Sequence, residues 1–253
     1  MKRNLFSVLF VLITWAAAAQ VPYVSITDIN MVSNADLANC NDTSAYLGQT
    51  VRTRGVIVTP GWTTEVASGS VTGGLRPFIF IQDTANGGQS TPFGGIEVMG
   101  VYTSSTGALQ VPATLTQALA GDIVEIVGLV GEYNGSNQLS LIDANSFSIV
   151  GTTNDPIVSD TITVGDLNDA TQVNNLVTGE GYEGSFVTFE NVTVTSVIPF
   201  SGNRVSFNIA DGNGNVINVS DRFLAQKMSS WATVNVIKTF LILNNQCSSL
   251  NSL

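Results

Sequence analysis

Beyond residue 20 the chain alternates short apolar runs rich in Val, Ile, Thr and Phe with clusters of Gly, Asn, Asp and Pro. That is the pattern of strands punctuated by turns. Strands are predicted over residues 51–59, 78–83, 95–100, 122–130 and 138–142, the last running on toward 147–150. Gly55 inside the first predicts a bulge that re-phases its inward face. Residues 112–120, opened by Pro112 and stopped by Gly121, read as one short helix between the third and fourth strands. Asn134 and Gly135 suit the positive φ of a tight hairpin turn between the fourth and fifth.

Three strands, a helix and two strands is the element order of the OB-fold, a small five-stranded Greek-key barrel. A weaker echo follows it. Residues 184–195 repeat 48–59, with Gly184 matching Gly48, Val187 matching Val51, and Val192, Val194 and Thr195 matching Val56, Val58 and Thr59. Residues 207–211 echo 79–83, and 216–219 echo 95–98. Self-similarity on this scale predicts tandem copies of one fold. The expected fold class is all-β: an OB-like barrel over 20–150, a polar linker over 151–159, a partial second barrel over 160–223 and an atypical tail over 224–253. The tail has no Gly, Asp or Glu and carries Lys227 and Lys238. Two readings fit it: a truncated or frame-altered carboxyl end, or a divergent last strand within residues 231–243.

The amino end has a different pattern. Lys2 and Arg3 precede an apolar run over 5–15 and then Ala16 to Ala19, which together predict an export signal over residues 1–19. The apolar run is shorter than the roughly 20 residues of a spanning helix, so a secreted or cell-surface protein without a membrane span is expected. Removing the signal leaves seven basic against nineteen acidic residues and moves the net charge from −10 to −12. That balance disfavours broad binding to nucleic acid. Export permits a bridge between Cys40 and Cys247, although free or separately paired thiols fit the sequence equally well.

The absence of histidine excludes Ser-His-Asp triads, Cys-His dyads and His-ligated metals. Glu65, Glu97, Glu125 and Glu132 are scattered, and there is no nucleophile elbow or P-loop. A non-catalytic protein without a cofactor or metal is therefore expected. Residues 211–215 resemble the start of a calcium loop, but its sixth and twelfth positions hold Val216 and Arg222, so a hairpin turn is predicted there.

Gly48 to Thr59, the strand end Ile81-Gln82-Asp83, and the run from Gly121-Asp122 to Asn134-Gly135 carry a family resemblance. They resemble the OB-fold module of secreted bacterial extracellular nucleases and of Bacteroidetes-type multidomain surface proteins. The resemblance covers residues 21–150, and 160–223 as a second copy. It implies a module accessory to a separate catalytic or sorting domain, with single-stranded nucleic acid or another extracellular polymer as the ligand class. Asp83-Thr84-Ala85 and Asp160-Thr161-Ile162 resemble an O-glycosylation acceptor of that group, and turn chemistry explains both equally well.

Nucleic-acid binding by such a barrel uses aromatic platforms and a basic groove. The candidate ligand-binding residues are Arg52 and Arg54, which share one face of the first strand, with Trp62, Arg76, Phe78 and Tyr133 beside them. The alternative for the arginines is an ordinary solvated face, and for Phe78 and Phe80 it is packing. The alternative function is a structural or adhesive spacer of a cell-surface protein that binds no ligand.

Overall fold

The structure is a computed structural model that describes residues 20–59, 65–67, 70–200, 204–220 and 236–240. The predicted export signal, Trp62 and Cys247 lie outside the described residues. No described helix is long and apolar enough to cross a membrane.

Five strands close a barrel: β1 (Thr50–Ile57), β2 (Leu75–Asp83), β3 (Gly95–Met99), β4 (Asp122–Tyr133) and β5 (Ser136–Leu141). β1 pairs antiparallel with β2, and β2 with β3. β3 pairs in parallel with β5, β5 antiparallel with β4, and β4 returns antiparallel to β1. The order 1-2-3-5-4-1, with one parallel pair, is the OB-fold predicted from the element order. A two-residue turn, with Asn134 at φ 55° and Gly135 at φ 89°, joins β4 to β5, which is the positive-φ geometry expected of Asn-Gly.

Inward side chains of all five strands fill the barrel, among them Val51, Ile79, Ile81, Val98, Ile126 and Leu139. Each stabilises the fold by about 1.5–3 kcal/mol on burial. At one end Leu115 and Ala118 enter the core from a 3₁₀ turn, Ala113–Gln117, where an α-helix over 112–120 was expected. The tighter turn aligns residues three apart on one side, which suits this pair. At the other end α1 (Ile26–Asn30) adds Ile26 and Ile29.

Neither α1 nor α2 (Asn34–Ala38) is among the predicted elements. Their signal is a Ser three residues before an Asp: Ser25 caps Asp28, and Ser33 caps Asp36. Gly55 forms no bulge, because the register runs unbroken through it to both neighbours. It is instead the residue at which β1, already paired with β4, also meets β2. A Cβ there would press within 2.8 Å of Ile81. β6 (Phe147–Thr152) is a separate strand rather than the continuation of β5, and pairs with the first half of β4.

The second unit begins with β7 (Asp160–Thr161) and α3 (Leu176–Gly179), followed by β8 (Phe186–Glu190), β9 (Thr193–Phe200), β10 (Arg204–Ala210), β11 (Val216–Ser220) and β12 (Val236–Phe240). The echo read in the sequence is structural. Phe207 faces Val219 and Ile209 faces Ile217 across β10–β11, just as Ile79 faces Val98 and Ile81 faces Ile96 across β2–β3. Gly48 and Gly184 both have positive φ. The strand equivalent to β1 is broken into β8 and β9 at Asn191, which has φ 54°. β12, within the atypical tail, pairs antiparallel with β8, the place β4 takes beside β1. Val187, Phe189, Phe207 and Ile209 centre a second core.

Residues 151–159, predicted as a linker, lie bound along the barrel. Thr153 N–H donates to Gly121 C=O at 2.9 Å, and Ser90 N–H to Val158 C=O at 3.1 Å.

Candidate functional site

The outer face of the second and third strands of an OB barrel, framed by the 1–2 and 4–5 loops, is where such folds take oligonucleotides and oligosaccharides. Here Ile79, Ile81, Ile96 and Val98 point into the barrel, so strand alternation sends Phe78, Phe80, Gln82, Gly95, Glu97 and Met99 outward. These outward residues are not open to solvent. Phe78 is 1% exposed and Phe80 0%. Their rings meet edge to face at 6.2 Å and 82°, with Val58, Ile157, Met99 and Phe186 around them.

The cover is the second unit and the segment leading to it. In the amide orientation its neighbours dictate, Gln82 accepts the Phe186 N–H at 3.1 Å. The backbones of Gly95 and Gly184 touch, leaving no space for a Cβ on either. Phe93 N–H donates to Gly181 C=O, and Pro92 and Phe93 lie against Gly181. Val32, Leu37, Phe93 and Leu176 form a small apolar cluster beside this seam. Asn30 holds the barrel side from beneath, its amide donating to Gly95 C=O at 2.7 Å and Phe93 C=O at 3.2 Å.

The predicted site residues do not converge. Arg52 and Arg54 do share a face, and both reach Glu125 on β4, at 3.9 Å and 2.8 Å. Arg54 Nε adds a hydrogen bond of 2.8 Å to the same carboxylate. One anion thus compensates part of the charge of two cations. Arg76 stands at the far end of β2 from the Arg54 side, about 23 Å along an extended strand. Phe78 serves as packing, the alternative weighed for it. Tyr133, at the β4–β5 hairpin, is 62% exposed.

The residues sequence reasoning missed lie in the seam: Gln82, Gly184, Phe186 and Glu180. A signal was present. Phe78-Ile79-Phe80-Ile81 is unbroken apolar sequence, which marks a strand buried on both faces. The separation of more than 100 residues to Phe186 hid what buries it.

One acidic group in the seam is unusual. Glu180, in the 3₁₀ turn Glu180–Tyr182, is 4% exposed. Burial first, and then the carboxylates of Asp42 and Glu132, push its pKa up to about 8. In the second unit, burial works to raise Asp211. Hydrogen bonds from the Asn215 side chain and from the N–H groups of Asn213, Asn215 and Gly165 outweigh it and hold this carboxyl below its ordinary value. This loop is the hairpin turn expected at 211–215, and Asp211 closes it. Among the described residues no group of three or more His, Cys, Asp or Glu side chains is placed to hold a metal ion. Cys40 is disulfide-bonded.

No family model matches the chain, and no curated protein matches it. Among solved structures, the chain is similar to the second OB-fold domain of replication protein A from Methanococcus maripaludis. The identity is 13%, the match covers 43% of this chain and 91% of that one, and the TM-score is 0.25. The OB assignment of the first unit stands on its own strand order, closure and parallel β3–β5 pair.

Proposed function

We propose that the chain is an exported, non-catalytic structural module, accessory to a larger extracellular assembly of the nuclease or surface-protein kind. Its OB barrel uses the ligand face to seat its own second unit, which makes a stiff two-unit spacer or adhesive element. The observation that carries this reading is the burial of Phe78, Phe80 and Gln82 beneath Ile157 and Phe186. The negative net charge and the pairing of Arg52 and Arg54 with Glu125 support it, because little free positive charge is left for a polyanion. The test is titration of the mature protein into a labelled thymidine oligonucleotide at low salt. No saturable binding is expected, and saturable binding abolished by the Arg52→Ala, Arg54→Ala double variant would overturn the reading.

A second reading keeps nucleic acid as ligand but moves it to the rim. Tyr133 is exposed on the hairpin that frames the covered face, and bases stack on such rings without sequence preference. Tyr133→Ala would then weaken binding while leaving the fold intact.

A further inference from the structure

The seam between barrel and second unit is backbone-tight and largely apolar, with the Gln82 amide buried in it, and at one point it also encloses an acid of the second unit. There Glu180 of the second unit is buried next to Gly181, whose C=O accepts the Phe93 N–H, and two carboxylates of the first unit act on it electrostatically: Asp42, itself buried, and Glu132 on the exposed β4–β5 hairpin. Tyr182 and Glu183 share its turn, and Glu183 is also buried. The groups acting on Glu180 are acidic, and no cation among the described residues is paired with it.

We propose that this cluster is a proton-operated latch: with Glu180 neutral the second unit stays seated on the β2–β3 face, and its ionisation drives the seat open. This rests on the reading that the second unit covers that face. The chemistry is proton release from the Glu180 carboxyl to water, which leaves a negative charge buried in the seam. The sign follows from linkage. Seated, Glu180 keeps its proton up to about pH 8, whereas released into water it loses it near 4.5. The seated form therefore binds the extra proton between those values, and its advantage is complete below 4.5 and falls as pH rises toward 8. Across that window the opening equilibrium gains up to about tenfold per pH unit, and above it the dependence ends.

Among the described residues three amides bond across the covered face: Phe93 to Gly181, Phe186 to Gln82, and Ser90 to Val158 of the segment leading to the second unit. Their hydrogen exchange, corrected for the intrinsic pH dependence of exchange, reports opening of the seat. Barrel amides such as those of Ile126 and Leu139 report whether the fold persists. In the mature protein the three seam amides are expected to lose protection between pH 5 and 8 while the barrel amides keep theirs. Glu180→Gln is expected to abolish that slope and keep the seat closed at pH 8. Should that variant fail to fold, Glu132→Gln on the exposed hairpin serves instead: it lowers the seated pKa of Glu180, so the slope is expected to end at a lower pH and the seat to be less open at pH 8. A Glu180→Gln slope equal to that of the wild type, or a Glu132→Gln variant as open at pH 8 as the wild type, overturns the latch. Unprotected seam amides already at pH 5 overturn the cover itself, so the two failures are distinguishable.

Discussion

A Cβ placed on Gly184 would lie 2.7 Å from the carbonyl oxygen of Gly95, so the two units meet backbone to backbone at these glycines. Gly184 also has φ 67°, a conformation that L side chains rarely adopt. Gly184→Val is expected to destabilise the docked pair by roughly 2–4 kcal/mol through strain and overpacking. Differential scanning calorimetry checks this. The loss should appear as weakened coupling of the second unit, with the barrel transition retained. An unchanged melting profile would remove the contact from the account.

Phe80 has no exposed surface and sits beneath Ile157 and Phe186. Phe80→Ala should cost about 3–5 kcal/mol, the range for an aromatic deleted from a packed interior. Urea unfolding measures it. A cost below about 1 kcal/mol would mean that the ring is a surface platform.

Glu125 compensates Arg52 and Arg54 together. Glu125→Gln should change stability by no more than about 1 kcal/mol, because the cluster is partly solvated. It should also bring weak, salt-sensitive binding of polyanions that the wild type lacks, read by retention on immobilised heparin at low salt. Equal elution of variant and wild type would show that the carboxylate masks nothing.

Asp211 is held below its ordinary carboxylate value by the turn it closes. A lowered pKa contributes stability that is present above the ordinary 3.8 and lost as pH falls through the native value. The second unit is therefore expected to weaken below about pH 4, and Asp211→Ala to flatten that acid-side slope. Thermal melts at pH 3 and pH 6 for both proteins decide it. Identical slopes would deny the turn this role.

The sequence carried the architecture at the level of repeats. The match of Phe207 and Ile209 to Ile79 and Ile81 led to the same register in the structure, because both pairs face a core. Local chemistry was also legible where it is self-contained, as at Asn134-Gly135. The ligand face was not. Phe78 and Phe80 look the same in a list of residues whether a base or a second unit covers them, and the covering Phe186 is set by long-range packing. Arg52 and Arg54 were rightly placed on one face, but Glu125 opposite them follows only from the β1–β4 register.

The claim on which the rest depends is that the second unit occupies the β2–β3 face. Hydroxyl-radical footprinting of the protein, read residue by residue by mass spectrometry, tests it most directly. Phe78, Phe80 and Phe186 should be oxidised far more slowly than exposed Tyr133 and Tyr23 once intrinsic reactivities are normalised. Oxidation of Phe78 and Phe80 at the normalised rate of Tyr133 would contradict the account.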